Sequence, residues 1–346
     1  MQRTPPLRRL LTAPLLLLTA LLPASPLLAS PPPEFEQERR AFIQEMAQKH
    51  GFDQDLLQRT VGQAVYQQRI IDAITRPAEA RPWRDYRPIF LTKNRIDGGA
   101  AFWRKHAEIL ARAERTYGVP AEIIVAIIGV ETNYGGNTGS WRVVDALATL
   151  GFAYPRRADF FRKELESFLL LTQEEEIDPL TVRGSYAGAI GLPQFIPSSY
   201  RAYSVDFSGD GQRNLLTSVE DAIGSVAAYL HRHNWQRGGS ITSRASGAGE
   251  QHQSFVDAGM KPSFTLAELE RAGIRPVDSE VITSLSSLIR LEGADGVEYW
   301  LGFDNFYAIT RYNRSNLYAM AVVQLSEEIR RSYATRPAFD LSRATP

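Results

Sequence analysis

Apolar residues in the first part of the chain recur at steps of three and four. Phe42 and Met46, and later Leu56, Leu57, Val61 and Val65, keep this spacing and predict helices across residues 35–74. Gly51 breaks the run, and Asp53, just ahead of Leu56 and Leu57, is placed to start the next helix. Pro77, Pro82 and Pro88 crowd residues 76–88, which therefore read as an extended connection. Residues 100–117 resume the helical pattern and stop at Gly118. Pro120 stands where a first helical turn tolerates proline, so residues 121–134 read as a strongly apolar helix ended by Gly135 and Gly136. The same spacing predicts helices over residues 159–175, 220–233 and 318–332. Between residues 236 and 300 the texture differs. Gly238, Gly239, Gly247 and Gly249 punctuate short alternating runs, residues 253–256 and 297–301 among them, and predict a small insert with β-strand. The pattern describes an α+β fold that is predominantly α-helical, with no internal repeat.

The first thirty residues are built differently. Arg3, Arg8 and Arg9 make a positive start, residues 10–22 are apolar apart from Thr12, Pro14 and Thr19, and small residues follow up to Ala29. This is the order of a secretory signal peptide cleaved near Ala29, and the apolar run is short for a membrane span of about 20 residues. An uncleaved amino-terminal anchor, the one way this chain would meet a membrane, is the alternative. No cysteine occurs, which removes disulfides, thiolate metal sites, cysteine nucleophiles and lipid attachment at an amino-terminal cysteine. The 39 basic residues only match the 39 acidic ones, so the basic excess of a nucleic-acid binder is missing. Loss of the three leading arginines leaves the mature chain slightly acidic. A soluble, monomeric, periplasmic protein is the expectation.

Candidate chemistry starts on the apolar helix. Ile124, Ile128 and Glu131 fall at i, i+4 and i+7, so the carboxyl group of Glu131 shares the apolar stripe. Loss of hydration there favours the protonated form, which suits a general acid near neutral pH. The plainer reading is a glutamate that reaches solvent at a frayed helix end. Residues 184–200 combine glycines that let a ligand approach backbone, Ser185 and Gln194 as hydrogen-bonding groups, and Phe195 and Tyr200 as flat apolar platforms. Sugar rings bind to that mixture. Alone, the segment reads as a glycine-rich turn before a helix, and its glycines do not flank Ser185 as a serine-hydrolase elbow requires.

Asp206, Ser208, Asp210 and the carbonyl of Gln212 fall at positions 1, 3, 5 and 7 of an EF-hand-like calcium loop, with Gly211 at position 6. Position 12 is Thr217, a departure from the closing acid of such loops. Glu220 or Asp221 closes a longer loop, and Asp221 is favoured. The competing reading is an Asp-Gly turn without metal. His231 and His233 read as helix-end residues with no third ligand for zinc.

Taken together, these segments resemble the membrane-bound lytic transglycosylase B family of peptidoglycan-cleaving enzymes. The resemblance is carried by Ile-Ile-Gly-Val-Glu131-Thr-Asn-Tyr-Gly, residues 145–152, Tyr154-Pro-Arg-Arg157, and residues 184–200 and 206–211. It continues through Asp221-Ala-Ile-Gly-Ser-Val-Ala, Tyr299-Trp-Leu-Gly and Ile309-Thr-Arg-Tyr-Asn313. It implies that Glu131 is the acid/base and that Arg156, Arg157, Ser185, Gln194, Phe195, Tyr229, Tyr312, Asn313 and Tyr318 line a glycan groove. It also implies a lysozyme-like core over residues 86–235, to which residues 301–346 return. A helical region over residues 30–85, joined by the C-terminal helix, and the β-containing insert over residues 236–300 flank that core. No cofactor is required for the chemistry, calcium being structural. The implied partners are peptidoglycan glycan strands and cell-wall synthases.

The implied reaction cuts the β-1,4 bond between N-acetylmuramic acid and N-acetylglucosamine and leaves a 1,6-anhydro end, the work of a carbon–oxygen lyase. Ordinary glycosidases place two carboxylates about 5–9 Å apart. Here the C6 hydroxyl of the muramoyl residue is the nucleophile, and one carboxyl group suffices. A hydrolytic muramidase, or a non-catalytic peptidoglycan-binding module, is the alternative.

Overall fold

The computed structural model describes residues 30–76, 81–277 and 285–335, and the expected signal peptide lies outside the described residues. The described chain opens with helices α1 (Pro33–His50), α2 (Gln54–Thr60) and α3 (Gln68–Ile74). The Asp53 carboxylate starts α2 by accepting the Leu56 amide at 2.7 Å. Leu57 and Val61 are buried as their spacing predicts, whereas Leu56 and Val65 stay exposed.

Of the residues 76–88 expected to be extended, 77–80 lie outside the described residues and 83–88 are helical, because the chain enters α4 (Trp83–Phe90). Pro82 sits just ahead of the first turn and Pro88 forfeits one backbone bond, while Trp83 and Tyr86 bury one face. The single helix expected over residues 100–117 is two, α5 (Lys93–Lys105) and α6 (Ala107–Tyr117), meeting at His106. Helix α7 (Ala121–Thr132) ends two residues earlier than expected, since Asn133 and Tyr134 turn left-handed at φ 51° and 61°. Residues 123–129 are buried on every face, as befits a helix surrounded by others.

Strand β1 (Trp141–Arg142) leads into α8 (Val143–Ala153) and α9 (Ala158–Glu174), and β2 (Arg183–Gly184) returns antiparallel to β1. Helices α10 (Pro197–Tyr203) and α11 (Val219–Arg232) follow. The next segment contains β3 (Thr242–Ser246), α12 (Gln253–Asp257), α13 (Leu266–Arg271), β4 (Arg275–Pro276), β5 (Ser287–Gly293) and β6 (Gly296–Gly302). Its antiparallel sheet has the order β4-β3-β6-β5. Residues 253–256 form helix α12, not strand. Four residues are too few to separate alternation from one helical turn, and the adjacent Phe255 and Val256 both pack on the same small core. That core, built from Leu269, Ile274, Leu288, Tyr299, Leu301 and Phe303, is separate from the main one.

Helices α14 (Asp304–Tyr312) and α15 (Asn316–Ala334) bring the chain back, and α15 packs along both α5 and α7. The architecture is α+β and mainly helical. Among the described residues no helix is long and apolar enough to cross a membrane.

Candidate active site

Glu131 is half-buried in the last turn of α7. Tyr318 lies in the first turn of α15, whose start is fixed by Ser315 accepting the Tyr318 amide at 3.2 Å. From there the Tyr318 phenol donates to Glu131 Oε1 at 2.6 Å. Tyr312 stacks parallel to Tyr318, with centroids 6.4 Å apart and planes at 9°, and donates to the Pro193 carbonyl at 2.5 Å. Burial, reinforced by the charge of Glu131, pushes both phenols well above their ordinary value. They therefore stay protonated donors throughout the physiological range.

The aromatic run continues away from Glu131. Tyr229 meets Tyr312 edge-on at 4.9 Å, and Phe195 lies 5.5 Å from Tyr229 and 5.7 Å from Tyr312. Together with Gln194, Ile196, Ser199 and Arg311 these rings line a cavity of about 150 Å³ that contains no carboxylate. Gln194 is left-handed at φ 50° and its amide donates to the carbonyls of Gly191 (2.8 Å) and Thr138 (3.1 Å). Gly191 makes that turn feasible, because a Cβ there would fall 2.0 Å from the Leu215 oxygen. Ser185 accepts the amides of Ala189 (3.0 Å) and Ala187 (3.3 Å), which leaves its own proton to donate.

The structure thus gathers Glu131, Gln194, Phe195, Tyr229, Tyr312 and Tyr318 into one contiguous set, with Asn313 on the short connection between the last two. Arg156 and Arg157 stand apart on an exposed 3-10 turn, Pro155–Arg157, where the Arg157 guanidinium lies 4.3 Å from the Phe160 ring. Sequence reasoning passed over Tyr86, Ser199 and Arg311. Tyr86 adds to the electrostatic load on the Tyr318 phenol, and its place in a proline-rich stretch hid it. Arg311 lies inside the Ile309–Asn313 segment that carries the resemblance and adjoins Tyr312, but nothing in the sequence attached a role to it.

Glu164 is buried and Glu122 half-buried, and loss of hydration lifts each above the usual carboxylate range. Glu164 accepts the amide (2.9 Å) and hydroxyl (2.7 Å) of Ser198 and so fastens α10. Glu122, at the opposite end of α7, faces a separate cavity of about 470 Å³ with Arg330 at 3.8 Å. Glu131 differs from both in standing beside the aromatic groove.

The calcium-like loop leads into α11. Asp206, Asp210 and Asp221 each place one oxygen so that all three lie within 4.8 Å of one another. Asp206 accepts the amides of Gly209, Asp210 and Gly211 and the Ser208 hydroxyl. The amide bonds, that of Gly211 foremost, hold its carboxyl below the ordinary range. Asp221 is fully buried and accepts the amides of Phe207, Ser208 and Asn214. Glu220 is engaged elsewhere, in an ion pair with Arg112. The Gln212 amide donates to the Asp210 carboxylate at 2.9 Å. His233 stacks on Tyr229 at 4.1 Å, and His231 meets the Tyr117 carbonyl.

Residues 34–327 match the family model described as a transglycosylase SLT domain. Over 298 residues the chain is 44% identical to membrane-bound lytic murein transglycosylase B of Escherichia coli K12, covering 83% of this chain and 81% of that protein. The soluble lytic transglycosylase SltB1 from Pseudomonas aeruginosa superposes with a TM-score of 0.80 at 53% identity, covering 86% of this chain and 99% of that one. The Escherichia coli lytic transglycosylase SLT35, solved in complex with calcium, gives a TM-score of 0.78 at 43% identity, covering 86% and 94%.

Proposed function

This chain belongs to the transglycosylase SLT-domain family, and we propose that it cuts peptidoglycan strands with Glu131 as acid and then base. The observation that carries the reading is the Tyr318–Glu131 hydrogen bond at the end of a run of aromatic rings formed by Tyr318, Tyr312, Tyr229 and Phe195. Protonated Glu131 donates to the glycosidic oxygen between N-acetylmuramic acid and N-acetylglucosamine as the bond from that oxygen to C1 breaks. The Tyr318 phenol then stabilises the carboxylate left behind. The muramoyl C6 hydroxyl closes on C1 and returns its proton to Glu131, which restores the acid without consuming water. Phe195, Tyr229 and Tyr312 supply the flat faces for sugar rings, and Ser185, Gln194 and Asn313 the polar contacts. Digestion of purified sacculi should yield muropeptides lighter by one water than hydrolysis products. A reducing muramic acid end in their place would make the protein a muramidase.

Arg156 and Arg157 are proposed to meet carboxylates of the peptides carried by the strands. An exposed ion pair contributes about 0.2–1 kcal/mol, so each Arg→Ala change should raise KM up to about fivefold on peptide-bearing strands. The turnover number should hardly move, and a fall in kcat with KM unchanged would sink this assignment.

Asp206, Asp210 and Asp221, with Ser208 and the Gln212 carbonyl, are proposed to hold a structural calcium ion. Calcium bound to the folded form at a hundred times its Kd adds about 2.7 kcal/mol of stability. Millimolar calcium should therefore raise the melting temperature of the protein, and Asp206→Ala should abolish the rise. A melting curve indifferent to calcium would remove the ion from this account.

Export to the periplasm follows as a proposal from the substrate, which lies there, and from the charged and apolar start of the chain. Amino-terminal sequencing of the mature protein should begin near Ser30. The separate small core supports reading residues 236–300 as an insert in the catalytic core.

A further inference from the structure

The turn that follows α7 is unusual in its backbone. Asn133 and Tyr134 are consecutive left-handed residues and neither is glycine. A bulky residue holds that conformation only where its surroundings impose it. For Tyr134 the surroundings are a slot floored by glycines. A Cβ on Gly129 of α7 would lie 2.6 Å from the Tyr134 phenol oxygen, and one on Gly99 of α5 would lie 2.5 Å from it. On Gly98 it would come within 3.2 Å of the ring. Phe102 packs against the ring at 5.6 Å, and the phenol donates to the Arg95 carbonyl at 2.8 Å. On the other flank, Thr132 donates to the Leu192 carbonyl at 3.0 Å and accepts the Gly135 amide at 3.1 Å. Glu131 thus sits between Gly129 and Tyr134, on backbone tied to α5 on one side and to the turn that carries Gln194 on the other.

We infer that Tyr134 is a positioning residue: lodged in the slot of Gly98, Gly99 and Gly129, it sets the direction in which Glu131 meets Tyr318 and the scissile bond. The inference rests on the reading of Glu131 as the acid. It acts through geometry alone, and a misplacement of about 1 Å at a reacting group can cost as much as 10²-fold in rate.

The test is a double-mutant cycle on kcat and KM with sacculi as substrate. Gly129→Ala puts a methyl group where the phenol lies and should lower kcat about tenfold with KM little changed. Tyr134→Phe keeps the ring and loses the bond to Arg95, so a fall of about threefold is expected. In a Tyr134→Ala background, already impaired, Gly129→Ala should cost less than a further twofold, because nothing remains for its methyl group to displace. Folded fraction is read by circular dichroism, and rates are expressed per folded molecule. Strictly additive losses, or lower melting temperatures with kcat per folded molecule intact, would overturn the inference and leave Tyr134 a packing residue. If Glu131→Gln abolishes turnover while the Tyr134 and Gly129 variants keep theirs, this inference fails alone. An active Glu131→Gln protein would bring down the acid assignment and this inference with it.

Discussion

Glu131→Gln is expected to lower the release of anhydro-muropeptides by at least about 10²–10⁴-fold, the usual contribution of one general acid–base group. Glutamine has nearly the same size, and its amide oxygen can still accept the Tyr318 phenol that now reaches Glu131 Oε1 at 2.6 Å. What disappears is the transferable proton. Folding should change little, because glutamine nearly matches the volume of this half-buried side chain and keeps its hydrogen-bond acceptor. Glycan binding should persist, since the rings of Phe195, Tyr229 and Tyr312 are untouched. A folded glutamine variant working at close to the wild-type rate would end the case for Glu131.

Asp221→Ala should have the largest effect on stability. Its carboxylate is fully buried at the first turn of α11, where a negative charge is favoured by the helix dipole. It accepts the amides of Phe207 and Ser208 at 2.8 Å and of Asn214 at 2.9 Å, so it holds both ends of the loop. Bonds to a charged acceptor contribute about 1.5–3 kcal/mol each and do not add fully, so a loss of about 3–5 kcal/mol is expected. The denaturant midpoint should fall accordingly, and any stabilisation by calcium should vanish with it. Asp221→Asn, which keeps the volume and one acceptor oxygen, should lose less. A change below about 1 kcal/mol for the alanine variant would mean that water replaces the carboxylate at those amides.

How much of this was legible beforehand depended on whether the cause was local. The apolar residues of α7 identify a buried helix without help from the rest of the chain, and Glu131 stands out as the carboxyl group in line with Ile124 and Ile128, Glu122 lying in the first turn. The hairpin strand at residues 297–301 was equally plain from its alternation. Tyr86 was not, because prolines at 82 and 88 argue against helix until the burial of Trp83 and Tyr86 is known. The loop from Asp206 to Gln212 carries its own spacing, but its closing acid does not. Glu220 and Asp221 are neighbours that point about 100° apart on α11, and only the position of Arg112 decides which one turns away. The slot around Tyr134 was invisible for a related reason. The sequence places glycines beyond Tyr134 as a helix stop, yet the glycines that receive its ring sit at 98, 99 and 129.

The bond between Glu131 and Tyr318 joins residues 187 positions apart. A chain is made from its amino end, so the acid exists long before the phenol that holds it. Contacts between such distant residues form late in folding, since the intervening loop must close first. In a nascent or truncated chain that stops short of α15, Tyr312 is present at the end of α14, but Glu131 lacks Tyr318 and Tyr312 lacks its stacking partner. On the proposed reading of Glu131 as the acid, the site is complete only once α15 has docked along α7.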